Sequence, residues 1–131
     1  MKTYFSKVKE YLLNLEYNII QEDEAEELFV VENPEGGIAN LVVDCEDPIL
    51  IVEGLLFEIK EENVDLYKSL LMKNREIIHG AFVLDQTGKK VLFRDTLQLE
   101  NLDQNELEAT LNSLEMLLSE FSEEIISFSK L

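Results

Sequence analysis

Apolar residues recur along this chain first at helical spacing, then in short runs, then at helical spacing again. Phe5, Val8, Leu12 and Leu15 lie three or four positions apart, which predicts an amphipathic helix over about residues 2–16. Two short apolar runs follow, Tyr17–Ile20 and Leu28–Val31, with the acidic turn Glu22-Asp23-Glu24 between them. Asn33-Pro34-Glu35-Gly36-Gly37 is a turn signal, because proline presets one dihedral and glycine tolerates positive φ. It leads into a strand near Ile38–Val43, which Asp47-Pro48 ends. A second, longer strand is expected over Ile49–Ile59.

Helical spacing returns at Val64, Tyr67, Leu70 and Leu71, predicting a helix over about 63–75 with Asn63 as its N-cap. Ile77–Leu84 and Val91–Leu97 then read as strands around a hairpin loop, Asp85-Gln86-Thr87-Gly88. The last segment has the clearest pattern. Leu107, Leu111, Leu114, Leu118, Phe121, Ile125 and Phe128 alternate steps of four and three, on a helix expected over about 103–128. Asp103 and Glu106 form a capping-box pattern at its start. Such a stripe suits a coiled-coil seam or the cover of a sheet. Glu108, Glu115 and Glu124 flank it without basic partners, so a self-paired coil meets like-charge repulsion and packing on the chain's own sheet is expected.

The fold class expected is therefore α+β: an antiparallel sheet flanked by three helices, in one domain over 1–131. The length of 131 residues agrees with one core, and 46% hydrophobic with 30% charged residues is a globular composition. Charge changes the picture of partners. With 28 Asp and Glu against 11 Lys and Arg, the formal net charge is −17. Nucleic-acid backbones and anionic membrane surfaces are repelled by that sum, so neither is an expected partner. The segment 1–20 carries Lys7, Lys9, Glu10 and Glu16, which is not a signal-peptide pattern, and a cytoplasmic location is expected.

Candidate chemistry is sparse. Asp44-Cys45-Glu46-Asp47 places the only cysteine among carboxylates, which raise a thiol pKa where a nucleophile needs it lowered. A small buried thiol at a strand end is the reading preferred over a catalytic one. His79, the only histidine, stands among Ile77, Ile78, Phe82 and Val83 and is expected on a strand face or at its end. Glu22, Asp23, Glu24, Glu26 and Glu27 lack the order of a calcium loop, and the glycines form no phosphate-cradling motif. No catalytic residue, metal ligand or cofactor site is expected. Lys73, Arg75, Lys89, Lys90 and Arg94 gather much of the positive charge, either to meet acidic residues of this chain or to dock an acidic partner.

The apolar surplus is more informative. In Ile49–Ile59 one face carries Ile49, Ile51, Leu55, Phe57 and Ile59, and the other Leu50, Val52 and Leu56. A sheet covered on one side alternates apolar with polar. A strand apolar on both faces is covered either by helices on both sides or by a second protein surface. Ile49, Leu50, Ile51, Val52, Leu55, Leu56 and Phe57 are accordingly the candidate partner-binding residues.

Asp47-Pro48-Ile49-Leu50-Ile51, Asn74-Arg75-Glu76-Ile77-Ile78-His79-Gly80-Ala81-Phe82 and Phe93-Arg94-Asp95-Thr96-Leu97, with the element order and the acidity, carry a resemblance. The chain resembles the Tir-chaperone (CesT-type) family of type III secretion chaperones and the related YbjN-like proteins. That resemblance implies a small cytoplasmic α+β protein, commonly dimeric and without enzymatic activity, that holds an extended client segment on apolar patches. It supplies no catalytic residues. Two further readings stand beside it: a self-associating structural or YbjN-like regulatory protein, and an enzyme built on Cys45, His79 and a carboxylate.

Overall fold

The Thr3 side-chain oxygen accepts the Ser6 N–H at 3.1 Å and caps the first helix, α1 (Tyr4–Asn14). The computed structural model describes residues 3–130. Phe5, Val8 and Leu12 form the buried stripe of α1, as their spacing predicts, while residue 2 of the expected helix lies outside the described residues. Glu16, at φ 62°, turns the chain into β1 (Asn18–Asp23). The first turn comes later than expected. β1 runs on to Asp23, whose carboxylate accepts the Glu26 N–H at 3.0 Å, before β2 (Leu28–Asn33).

A short 3-10 turn at Pro34–Gly36 leads to β3 (Ile38–Glu46), and Asp47-Pro48, a cis peptide, turns it into β4 (Ile49–Glu58). Asn63 caps α2 (Val64–Lys73) by accepting the Leu66 N–H at 3.2 Å. A second 3-10 turn, Asn74–Glu76, follows. β5 (Ala81–Leu84) and β6 (Lys90–Gln98) form the hairpin, and Asp103 caps α3 (Gln104–Ser129) by accepting the Glu106 N–H at 2.8 Å.

The six strands make one antiparallel sheet in the order β1-β2-β3-β4-β6-β5. β4 and β6 are neighbours, so β5 falls at the edge. One hydrophobic cluster joins α1, α2 and α3 to the sheet. Phe5 stacks on Phe29 with ring centroids 4.4 Å apart, and Leu107, Leu111, Leu114 and Leu117 of α3 are all buried. The stripe of α3 thus packs on its own sheet. Polar ties fix the helices: Tyr11 donates to the Leu102 carbonyl at 3.0 Å, and Thr110 to Asp95 at 2.7 Å.

Two further expectations fail locally. The strand read at Ile77–Leu84 exists only over Ala81–Leu84. Gly80 adopts φ 86°, and a Cβ there would meet the Phe93 ring at 2.4 Å, so the chain bends sharply before the strand begins. His79 therefore lies in an exposed bend and not on a strand face. The second failure is in β4. Its register against β6 shifts between Leu55 and Phe57, a bulge that adds one residue and reverses the alternation beyond it. Phe57 joins the face of Leu50 and Val52, not that of Ile49 and Ile51.

Candidate binding surface

The two sides of the sheet differ in what covers them. On the helix side Phe29, Val31, Val43, Leu50, Val52, Val91 and Phe93 are fully sequestered. Their alternates on the other side are only half-buried, shielded by one another along the strands. Strand pairing arranges this open side in rows. Ile49 of β4 lies between Glu46 and Gln98, and Ile51 lies between Asp44 and Thr96. Glu53 sits between Val42 and Arg94, and Leu55 neighbours Leu92, which neighbours Val83.

The result is an apolar field with a polar centre. Val30 and Val42 border it on one side, Leu92 and Val83 on the other. Glu53 and Arg94 neutralise each other in the middle through an ion pair of 2.7 Å, with both side chains about one-third exposed (32% and 39%). Leu55 is 55% exposed, well above an ordinary sheet leucine covered by a second layer. Asp44 is the one discordant group. Its Oδ1 is buried without a hydrogen-bond partner. Burial, followed by the charges of Glu46, Glu26 and Glu53, pushes its carboxyl up to about 6.

The seven candidate positions on β4 therefore divide. Ile49, Ile51 and Leu55 belong to the open side, Leu56 sits half-buried at the bulge, and Leu50, Val52 and Phe57 lie in the core. Phe57 is held there by the tilted ring of Phe128, 6.2 Å away. Two apolar features lie outside this surface, and sequence reading missed both. α2 exposes Val64, Leu71 and Met72. A cleft of about 200 Å³ runs between the bend at 77–79 and α3, lined by Ile77, Ile78, Met116, Leu117 and Phe121. The sequence pattern places Ile78 in a strand, whereas it lies in the exposed bend that forms one wall of the cleft.

The chemistry-bearing candidates are kept apart. Cys45 sits buried on β3, and burial, then Glu27, Asp44 and Glu46, pushes its thiol up to about 12. It stays protonated near neutrality, the reverse of what a nucleophile needs. His79 lies beyond β5, three strand positions from β3 in the sheet order, or about 14 Å at ~4.8 Å per spacing. Among the described residues no group of three or more His, Cys, Asp or Glu is arranged to hold a metal ion. Two of the five clustered basic residues meet this chain's own acids, Arg94 at Glu53 and Lys73 at Glu124, with the Lys73 ammonium also 4.7 Å over the Phe121 ring. No described helix is long and apolar enough to cross a membrane.

The family model CesT_Tir_1 matches residues 1–131. This chain belongs to the CesT_Tir_1 family. No curated protein matches it by sequence. Among solved structures, YbjN from E. coli is similar with a TM-score of 0.67 at 13% identity, covering 94% of this chain and 93% of that one. The HopA1-SchA chaperone–effector complex contains a chain similar with a TM-score of 0.62 at 15% identity, covering 98% and 94%. The Yersinia pestis type III secretion chaperone SycH, in complex with a fragment of YscM2, is similar with a TM-score of 0.58 at 20% identity, covering 97% of this CesT_Tir_1 chain and all of the other (100%). These likenesses establish the secretion-chaperone fold, in the element order read from the sequence.

Proposed function

We propose that this chain is a non-enzymatic protein-binding module that holds an extended segment of a client protein on the open side of its sheet. The observation that carries the reading is the uncovered apolar field around Ile49, Ile51 and Leu55, on a chain whose only thiol is buried and raised in pKa. Structures with this fold include complexes of chaperones with effectors, which favours a protein partner over a small molecule. Leu50, Val52 and Phe57 support the surface from beneath and do not touch the client. The whole of 1–131 acts as one domain, in the cytoplasm, with no cofactor.

A second reading rests on the same surface: two copies meet through it as a homodimer. The exposed Leu55 favours this, since a lone chain leaves it in water. The two readings separate in one experiment. Affinity capture from the native cell with the wild type and with Leu55→Glu is paired with light scattering of both proteins. A recurrent client that Leu55→Glu loses, at unchanged mass, supports the client surface. A mass that falls to one chain of 15.1 kDa in Leu55→Glu, with no client in either capture, assigns the surface to self-association. A client retained by Leu55→Glu removes the open side as its site.

A further inference from the structure

β5 ends the sheet with the sequence Ala81-Phe82-Val83-Leu84, an uncharged apolar run. An edge of that kind is a template for pairing with another chain, and proteins protect such edges by cover, charge or proline. At the opposite edge β1 carries Glu22 and Asp23, and that charge deters a like strand. β5 has no charge. Its outer edge is closed by side chains instead.

The pairing of β5 with β6 shows which groups point outward. Asp85 N–H donates to the Lys90 carbonyl at 3.0 Å, and alternate residues of an antiparallel ladder point the same way. Val83 and Ala81, opposite Leu92 and Arg94, therefore bond to β6, while Phe82 and Leu84 direct their N–H and C=O away from the sheet. Asn74 meets both outward groups of Phe82. Its Oδ1 accepts the Phe82 N–H at 2.8 Å, and its Nδ2 donates to the Phe82 carbonyl at 3.2 Å. An amide side chain thus reproduces the paired bonds that a neighbouring strand would make. Just before β5, Ser113 of α3 does the same for His79, accepting its N–H at 3.2 Å and donating to its carbonyl at 2.7 Å.

We infer that Asn74 closes the outer edge of β5 against strand addition, and that a second copy of this chain, pairing β5 to β5, is what it excludes. Asn74 is held for that task by its place at the junction of α2 and the 3-10 turn, anchored by the buried Leu66 and Leu70. Only Leu84 keeps free outward backbone groups, and one residue is too little for a ladder. With Asn74 removed, Phe82 and Leu84 together present two pairs of groups, the minimum repeat for antiparallel pairing.

The test compares wild type, Asn74→Ala and Asn74→Ala/Leu84→Pro by sedimentation velocity, with amide exchange of wild type. In wild type the Phe82 amide exchanges roughly tenfold or more slowly than that of Leu84, although both lie on the edge. Asn74→Ala reaches about twice the wild-type mass at roughly 0.1 mM, where exposed edges associate. Adding Leu84→Pro removes one outward N–H without breaking a bond to β6, and the mass returns to the wild-type value. Equal exchange at Phe82 and Leu84 in wild type overturns the inference. So does a folded Asn74→Ala that keeps the wild-type mass. An Asn74→Ala chain that does not fold makes Asn74 a folding residue and overturns it too.

Discussion

Asp44 is a carboxyl held away from its ordinary state, with one oxygen buried and unpartnered. Its carboxyl is raised from 3.8 to about 6, by burial first and by Glu46, Glu26 and Glu53 after it. The folded chain thus holds this proton more tightly than the unfolded chain does. The stabilising contribution is full below about pH 4, and it is lost as pH rises through about 6. Asp44→Asn removes that loss. Its urea midpoint is expected above the wild-type midpoint at about pH 7.5, with the two converging near pH 4. A difference that is the same at both values, or larger in acid, contradicts the assignment. At this scale the sequence was informative where partners are local. Asn63 and Asp103 were readable as caps, and the carboxylates beside Cys45 already argued against a thiolate. Asn74 was not readable, because its partner Phe82 reaches it only after the chain has turned.

Elements were legible in type and order, and two details were not. The helices begin and end within a few residues of where the apolar spacing places them, because each carries a local cap and a periodic stripe. The bend at 77–80 was hidden because its isoleucines read as strand, while Gly80 and the clearance it gives Phe93 depend on β6. The bulge in β4 was hidden for a related reason: only the partner strand defines a register shift. Its consequence is testable. Strict alternation puts Phe57 with Ile51, so both should tolerate or resist charge alike. With the bulge, Phe57→Glu buries a carboxylate beneath Phe128 and is expected to cost more than about 3 kcal/mol, as large core losses do. Ile51→Glu faces the open side and is expected to fold, with a cost below about 2 kcal/mol. Denaturant midpoints of the two variants decide between flat alternation and the bulged register.

At the scale of the whole molecule, periodicity established that β4 is apolar on both faces but could not say which face the helices cover, since that depends on where α1 and α3 cross the sheet. The structure puts them over Leu50 and Val52, leaving Ile51 and Leu55 as the outward pair. Two forces then compete to hold a client. The net charge of −17 attracts basic proteins, but that attraction decays over about 8 Å in physiological salt. Burial of the open apolar field contributes roughly 25 cal/mol per Å² and is not screened. Its central charges are already paired with each other as Glu53 and Arg94, so they offer a partner little unbalanced charge. Client affinity is therefore expected to change by less than about threefold between low salt and ~0.5 M salt, while Ile51→Glu and Leu55→Glu weaken it by tenfold or more, on the order of 1.4 kcal/mol. Titration calorimetry of the captured client at both salt concentrations measures this. If high salt abolishes binding and both glutamate variants bind as wild type, the acidic surface holds the client and the sheet does not.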